Sequence, residues 1–457
     1  MISRRDLLAG GAALPVLAQK TAAPPRPNIL LILADDLAAW MLGCYGNKEI
    51  RTPNLDLLAR AGTRFANSFV CTPICSASRA TLFTGRVPRQ HGIHDFLTDK
   101  PIEKPPQGQA APPPSFASEI LLSDILAAQG YNCGYLGKWH MGSDQTPGHG
   151  FKFTYTTLGA RRYQDPSMSL NGSPAQEKGY LADLLTKRAS EFLDQQKSGQ
   201  PFFLTLGYLH PHTPYDGHPA KYYEMYAKTN FETIGWEPSA PNALREKDYL
   251  KDIVGNIRKC AASVTALDDQ IPPLLKKLEE RGLRDNTLIV FTGDNGFLLG
   301  RHGLWSKGLA SDPINMYEEV MAVPMIWNWP GKAPPQAVRP ELVSFYDFLP
   351  TVCELTGAPL PAERNLCGQS YLPLATGRLM PKNRPWRNLV FGHFRNTEMV
   401  RDTRYKLVLR DGGQGPGDLY DLRNDPREKT NQYDNPEFVT VRGALGKALE
   451  DWRKKYA

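Results

Sequence analysis

Beyond its N-terminus the chain has no apolar run approaching the roughly 20 residues that a bilayer span requires, so no transmembrane segment is expected in the mature protein. It also lacks a disulfide framework. Seven cysteines scattered over 457 residues are too sparse to staple a small loop-rich domain. Charge of one sign is not in excess either: 54 basic against 47 acidic residues leave a net +7. That mild balance suits an anionic substrate without demanding one, and no nucleic-acid partner is expected. What the chain does have is bulk. With 41% apolar residues over this length it can bury a large core, which suggests one large domain plus a smaller one.

The first residues read as an address. Ser3-Arg4-Arg5-Asp6-Leu7-Leu8 is a twin-arginine pattern, followed by a weakly apolar segment to Ala18 and a plausible cleavage site at Val16-Leu17-Ala18. Residues 1–18 are therefore expected to be a signal peptide, and their removal lowers the net charge to +6. Export by the twin-arginine machinery, to a periplasmic or external location, is the expectation.

Asn28-Ile29-Leu30-Leu31-Ile32-Leu33-Ala34 is a continuous apolar run that ends in Asp35-Asp36, as a strand buried on both faces would. The design recurs at Asn286 to Phe291, a run closed by Asp294-Asn295 and lying 259 positions further on. Carboxylates at the carboxyl ends of such strands sit where open α/β sheets place their ligands. Three carboxylates and an amide, without a thiolate, describe a hard-cation site for Ca²⁺, with Mg²⁺ possible, rather than zinc. Two further strands end in cation-bearing loops. Tyr131 to Leu136 runs into Gly137-Lys138-Trp139-His140, and Pro201 to Tyr208 runs into Leu209-His210-Pro211-His212-Thr213-Pro214. Helices are expected at 52–62, 118–130, 179–195 and 246–282, the last interrupted at Pro272-Pro273. Residues 143–178 read as polar and irregular, and the proline-rich stretch 101–114 as devoid of regular structure. Past a proline-rich connection at 359–388, antiparallel strands and a terminal helix complete residues 389–457.

The chain is organised around Val70-Cys71-Thr72-Pro73-Ile74-Cys75-Ser76-Ala77-Ser78-Arg79 and its continuation Ala80-Thr81-Leu82-Phe83-Thr84-Gly85-Arg86. Physically this is a cysteine just before a short helix, with Ser76 and Ser78 as N-cap residues and Gly85 as the stop. Such a helix start favours an anion, and Arg79, one turn in, adds a fixed cation. An isolated cysteine is most often a small buried thiol.

Cys75-Ser76-Ala77-Ser78-Arg79 with Leu82-Phe83-Thr84-Gly85-Arg86 resembles the signature of the type I sulfatases. The Gly-Lys-Trp-His, Pro-His-Thr-Pro and strand-end acidic blocks follow in that family's order. The resemblance implies an α/β/α sandwich of alkaline-phosphatase type over 27–358 and a small C-terminal α+β subdomain over 389–457. It implies that a maturase converts Cys75 to formylglycine, whose hydrate is the nucleophile; Cys71 is set aside because Cys75 stands where arginine would be needed. Ala77 replaces the commoner proline, which points to a maturase tolerant of alanine. By the same resemblance Asp35, Asp36, Cys75, Asp294 and Asn295 hold calcium, and Asp294 helps activate the attacking hydroxyl. Lys138 and Lys307 hold the sulfate, and Arg79 steadies the nucleophile. His212, chosen over His210, protonates the leaving alcohol, and His140 deprotonates the second hydroxyl of the hydrate. A second hydroxyl lets the enzyme expel sulfate where a plain alcohol would remain esterified. The implied substrate is a sulfated carbohydrate or related sulfate monoester, with specificity in loops 143–178 and 211–245 and in the C-terminal subdomain. Two alternatives share the motifs: a phosphate or phosphonate ester hydrolase, and a non-catalytic metal-bearing glycan-binding relative.

Overall fold

The structure, a computed structural model, describes residues 26–97, 118–159 and 161–456. The expected signal peptide and the proline-rich stretch 101–114 lie outside the described residues.

A ten-stranded sheet forms the centre. In chain order its strands are β1 (Asn28–Ala34), β2 (Thr63–Phe69), β3 (Asn132–Gly137), β4 (Phe153–Thr157) and β5 (Ser167–Leu170). Then come β6 (Ser173–Gln176), β7 (Phe202–Gly207), β8 (Thr287–Gly293), β9 (Met325–Asn328) and β10 (Ala337–Ser344). Across the sheet the order is β10-β2-β9-β8-β1-β7-β3-β4-β5-β6. The central block β8-β1-β7-β3-β4 is parallel, whereas β9, β5 and β6 pair antiparallel with their neighbours.

Every residue of β1 is buried, and its side chains alternate between two cores. Ile29, Leu31 and Leu33 join the helices Cys75–Thr84, Leu122–Ala128 and Phe348–Thr356 on one face. Leu30, Ile32 and Ala34 join Pro53–Arg60, Leu181–Asp194, Ile253–Asp268 and Ile271–Glu280 on the other. The period-2 pleat of an all-apolar strand requires such double cover, which makes the fold an α/β/α sandwich.

The small domain is an antiparallel sheet, β11 (Val390–Phe394), β12 (Thr397–Arg401), β13 (Tyr405–Arg410) and β14 (Asp418–Asp421), closed by the helix Val439–Tyr456. Its first strand docks on the segment leading to Cys75: the Thr72 hydroxyl donates to the His393 carbonyl at 2.7 Å, and the His393 N–H to Cys71 at 2.8 Å.

Three local expectations are corrected. Residues 143–178 are not irregular, because they supply β4, β5 and β6; these edge strands are short and rich in Ser and Thr, and only pairing onto β3 orders them. The long helical region breaks at Asp269-Gln270 rather than at Pro272-Pro273. Those prolines occupy the first turn of the next helix, where no intrahelical N–H is lost. Ser76 and Ser78 are not caps: the helix begins at Cys75 with Ile74 as N-cap, and Ser76 Oγ instead accepts the Leu97 N–H at 2.9 Å. Gly85 does end that helix, at φ +67°.

Candidate active site

Register builds the site. In the parallel ladders Ala34 is level with Gly293, Leu33 with both Thr292 and Gly207, and Gly137 with Gly207. The residues that follow β1, β3, β7 and β8 therefore emerge side by side at one sheet edge. Closeness there depends on Gly137: a Cβ at that position would lie 2.0 Å from the Gly207 carbonyl, and the residue has φ +100°. Asp36 at φ +65° and His140 at φ +59° hold left-handed conformations that non-glycine residues adopt only at a cost.

Cys75 opens its helix at this edge, 2% exposed, with Sγ 3.3 Å from Asp35 Oδ1. Lys138 Nζ donates to Asp35 Oδ2 at 2.5 Å. Lys307 reaches in from beyond β8, donating to Asp36 Oδ1 and lying 2.8 Å from Cys75 Sγ and 3.4 Å from Asn295 Oδ1. Asn295 Nδ2 donates to Asp36 Oδ1 at 2.8 Å, and Asp294 Oδ1 accepts the Asp36 N–H at 3.1 Å. Arg79 is wholly buried; its Nε donates to Asp294 Oδ2 at 2.8 Å and its Nη1 to the Lys138 carbonyl at 2.6 Å. It thereby ties the Cys75 helix to the ends of β3 and β8.

The histidines separate by orientation. His212 Nδ1 donates to the Thr213 carbonyl at 2.5 Å, which leaves Nε2 free to exchange a proton, 3.6 Å from Asp36 Oδ2. His210 turns away, its Nε2 2.6 Å from the Tyr180 hydroxyl, and only its carbonyl serves the site by accepting the Asp35 N–H at 3.0 Å. His140 Nε2 donates to the Leu97 carbonyl at 2.9 Å, so its buried Nδ1, which has no hydrogen-bond partner among the described residues, carries the lone pair.

Three buried carboxylates thus face three buried cations. Burial would raise the Asp35 carboxyl, but Lys138, His212, Arg79 and Lys307 hold it well below the usual range. Asp36 is likewise lowered against burial, chiefly by Lys307 and then His212. Asp294 moves the other way, up to about 6, because burial and the charge of Asp35 outweigh Arg79. Burial pushes the Cys75 thiol up to about 12, reinforced by Asp294 and Asp35, so the unmodified side chain is a neutral thiol and a poor nucleophile. Burial lowers His212 to about 3 against the pull of Asp36 and Asp35, with Lys138 and Arg161 adding to the depression.

Ligand atoms of Asp35, Asp36, Cys75 and His212 lie within 4.8 Å of one another. With Asn295 hydrogen-bonded to Asp36 and a lysine ammonium seated among these groups, the donors are mainly oxygens that already accommodate positive charge. The set fits a hard divalent cation, with Asp294 joined to it through Asp36 and Arg79. His212 belongs to this cluster, an association the sequence does not signal.

Beside the buried group opens a cleft of about 230 Å³, lined by Phe96, Leu97, Lys138, His140, Arg161 and Arg162 among others. Three contributors had no local signal: Tyr135, whose hydroxyl meets Arg79 at 3.3 Å; Tyr163, whose hydroxyl donates to the Leu209 and His212 carbonyls at 3.1 and 2.5 Å; and Asn315, whose amide holds the Lys307 carbonyl at 3.2 Å.

The sulfatase family model matches residues 27–358, and a model described as N-sulphoglucosamine sulphohydrolase, C-terminal, matches 300–455. An N-acetylglucosamine-6-O-sulfatase of Bacteroides thetaiotaomicron is 26% identical over 94% of this chain and 87% of its own. Arylsulfatase A of Homo sapiens is 29% identical over 91% of this chain and 85% of its own. A solved structure in complex with its substrate, D-glucosamine-2-N,6-O-disulfate, shares the fold with a TM-score of 0.78 at 24% identity, covering 94% of this chain and 98% of that one. A match across nearly the whole catalytic sandwich, on a chain whose strand ends gather these charges around a helix-start cysteine, leaves one conclusion: the protein belongs to the sulfatase family.

Proposed function

We propose that the enzyme hydrolyses a sulfate monoester of a carbohydrate, using Cys75 in its formylglycine form and a bound divalent cation. The observation that carries this reading is the convergence of four parallel strand ends on the N-terminus of the Cys75 helix, with Lys307 against Cys75 and Lys138 on the Asp35 carboxylate that Cys75 also meets. Two of the similar proteins are named for amino-sugar sulfates, and the cleft volume, below the roughly 300–1,000 Å³ of drug-sized sites, suits one small unit.

The cation, held by Asp35, Asp36, Asp294 and Asn295 with residue 75, would polarise a sulfate oxygen and favour the ionised form of the attacking hydroxyl. The formylglycine hydrate would supply two hydroxyls on one carbon, where the thiol offers neither. The remaining work falls to this chain's side chains. Lys138 and Lys307 neutralise the sulfate oxygens, whose charge grows as the S–O bond breaks. His212 Nε2, which must first take up a proton that the negative charge of a bound sulfate would favour against burial, gives it to the departing alcohol oxygen. His140 Nδ1, the orphaned acceptor, takes the proton whose loss releases sulfate. Arg79 holds the nucleophile's helix against Asp294, and the buried walls keep bulk water from competing.

The reading is tested by weighing the peptide that contains Cys75, with and without a co-expressed maturase, alongside turnover of an aryl sulfate. Activity should rise in proportion to the fraction in which oxygen has replaced sulfur. Full turnover by protein carrying only the thiol would overturn the mechanism. Export through the twin-arginine route belongs to the same proposal, supported by the Arg4-Arg5 pattern.

A further inference from the structure

The turn between β4 and β5 carries Arg161 and Arg162 on the rim of the cleft whose floor is Lys138 and His140. The floor cation is only 6% exposed and bonded to Asp35, whereas both arginines are exposed. Among the described residues neither arginine has a hydrogen-bond or ion-pair partner. The nearby acids are occupied: Asp144 accepts the His140 N–H at 2.8 Å, while Asp165 accepts the Gly179 N–H at 2.8 Å and meets Lys178 at 3.9 Å. A third cation stands at the same rim, Arg245, with its guanidinium 4.6 Å from the ring centroid of the cleft residue Phe96. The turn is held in place. The Leu158 N–H donates to the Ser167 carbonyl at 2.8 Å, and the next residue after the pair, Tyr163, is buried with its hydroxyl on the His212 loop.

We propose that Arg161 and Arg162 form a subsite for a second anionic group, a sulfate or a carboxylate, carried by the same or the adjoining sugar unit as the scissile sulfate. This rests on the sulfatase reading and narrows it to polyanionic saccharides. Two adjacent guanidiniums without carboxylate partners repel one another, and a bidentate oxyanion relieves that repulsion with geometry an ammonium cannot match. The buried lysines cannot serve the second anion, since Asp35 and Asp36 engage them at the reacting centre. Anchoring of Tyr163 on the His212 loop keeps the arginine pair beside the cleft.

The test compares wild type with Arg161→Ala/Arg162→Ala on three matched sugars: one monosulfated and otherwise neutral, one also bearing a carboxylate, and one bearing a second sulfate. The double variant should lose about ten- to a hundredfold more kcat/KM on a dianionic sugar than on the neutral one, mainly through KM, and the difference should shrink at high salt. Loss confined to the carboxylate or to the disulfate identifies which anion is bound. Equal losses on all three, or none on either dianionic sugar, refute the subsite. Binding of the carboxylate-bearing and disulfated sugars to Cys75→Ala protein reads the subsite without turnover. Loss of that binding on removing the arginines supports the proposal even if aryl sulfates prove not to be hydrolysed, whereas binding indifferent to the arginines overturns it.

Discussion

Replacing Lys406 by Met should unfasten the small domain, and the deficit should grow as pH rises. Lys406 lies on β13 with no exposed surface. Its Nζ donates to the Met316 carbonyl at 2.7 Å and to Glu318 Oε1 at 3.2 Å and is ion-paired with Glu428, while Glu428 Oε2 accepts the Glu318 N–H at 2.6 Å. One ammonium thus ties the small sheet to the segment that follows Lys307 and Asn315. Hydrogen bonds to charged groups are worth about 1.5–3 kcal/mol each, but removing one partner of a buried pair is dominated by the charge left behind, about 3–5 kcal/mol. Burial pushes the Glu428 carboxyl up to about 8 against the pull of Lys406, and Glu318 and Glu319 push the same way. A carboxyl raised on folding contributes stability that is fully present below about pH 4.5 and lost as pH rises through the folded value. Taking away the cation raises that value further, so the variant's deficit should be small in acid and largest near pH 9. Urea unfolding of wild type, Lys406→Met, Glu428→Gln and the double variant at pH 5, 7 and 9 measures it. Lys406→Met should cost about 3–5 kcal/mol at pH 9, where the wild-type Glu428 is ionised, and adding Glu428→Gln should restore about 2 kcal/mol or more there, because the amide still accepts the Glu318 N–H without a buried charge. A deficit that Glu428→Gln does not relieve, or one that shrinks towards alkaline pH, would refute the reasoning.

Chelation should abolish sulfate-ester turnover, with Ca²⁺ or Mg²⁺ restoring it. Added cation should also stabilise the fold by about 2.7 kcal/mol at a hundredfold excess over Kd, and Asp36→Asn should blunt that gain; full activity in metal-free protein would exclude the hard-cation site. His212→Ala should slow hydrolysis of an alkyl sulfate by about 10²–10⁴-fold and of an activated aryl sulfate far less, because only a basic leaving group needs the proton. His210→Ala should not discriminate between the two substrates, and a larger leaving-group effect from His210 than from His212 would reverse the assignment.

The sequence alone determined what depends on neighbours along the chain. An unbroken apolar run such as Asn28–Ala34 must be covered on both faces, and a carboxylate pair after it must lie at a strand end. Gly85 stops the Cys75 helix because it can take a positive φ. The cysteine motif marked the helix start around which the buried charges gather. Local propensity could not decide which of two competent partners a polar group meets. Ser76 has the chemistry of a cap, yet its hydroxyl receives Leu97; the strands in 143–178 carry too little apolar signal to declare themselves before β3 offers a ladder. Arg79 was legible as a cation beside Cys75, but its partner Asp294 lies 215 positions away, and only sheet register brings the two together. Likewise nothing near His210 or His212 says which ring faces Asp36, because that choice depends on Tyr180, Tyr163 and the Thr213 carbonyl. Tertiary placement then sets the charges: the same residue type, Asp, is held low at 35 by the cations it faces and pushed up at 294 by burial and the charge of Asp35 once the strands are aligned.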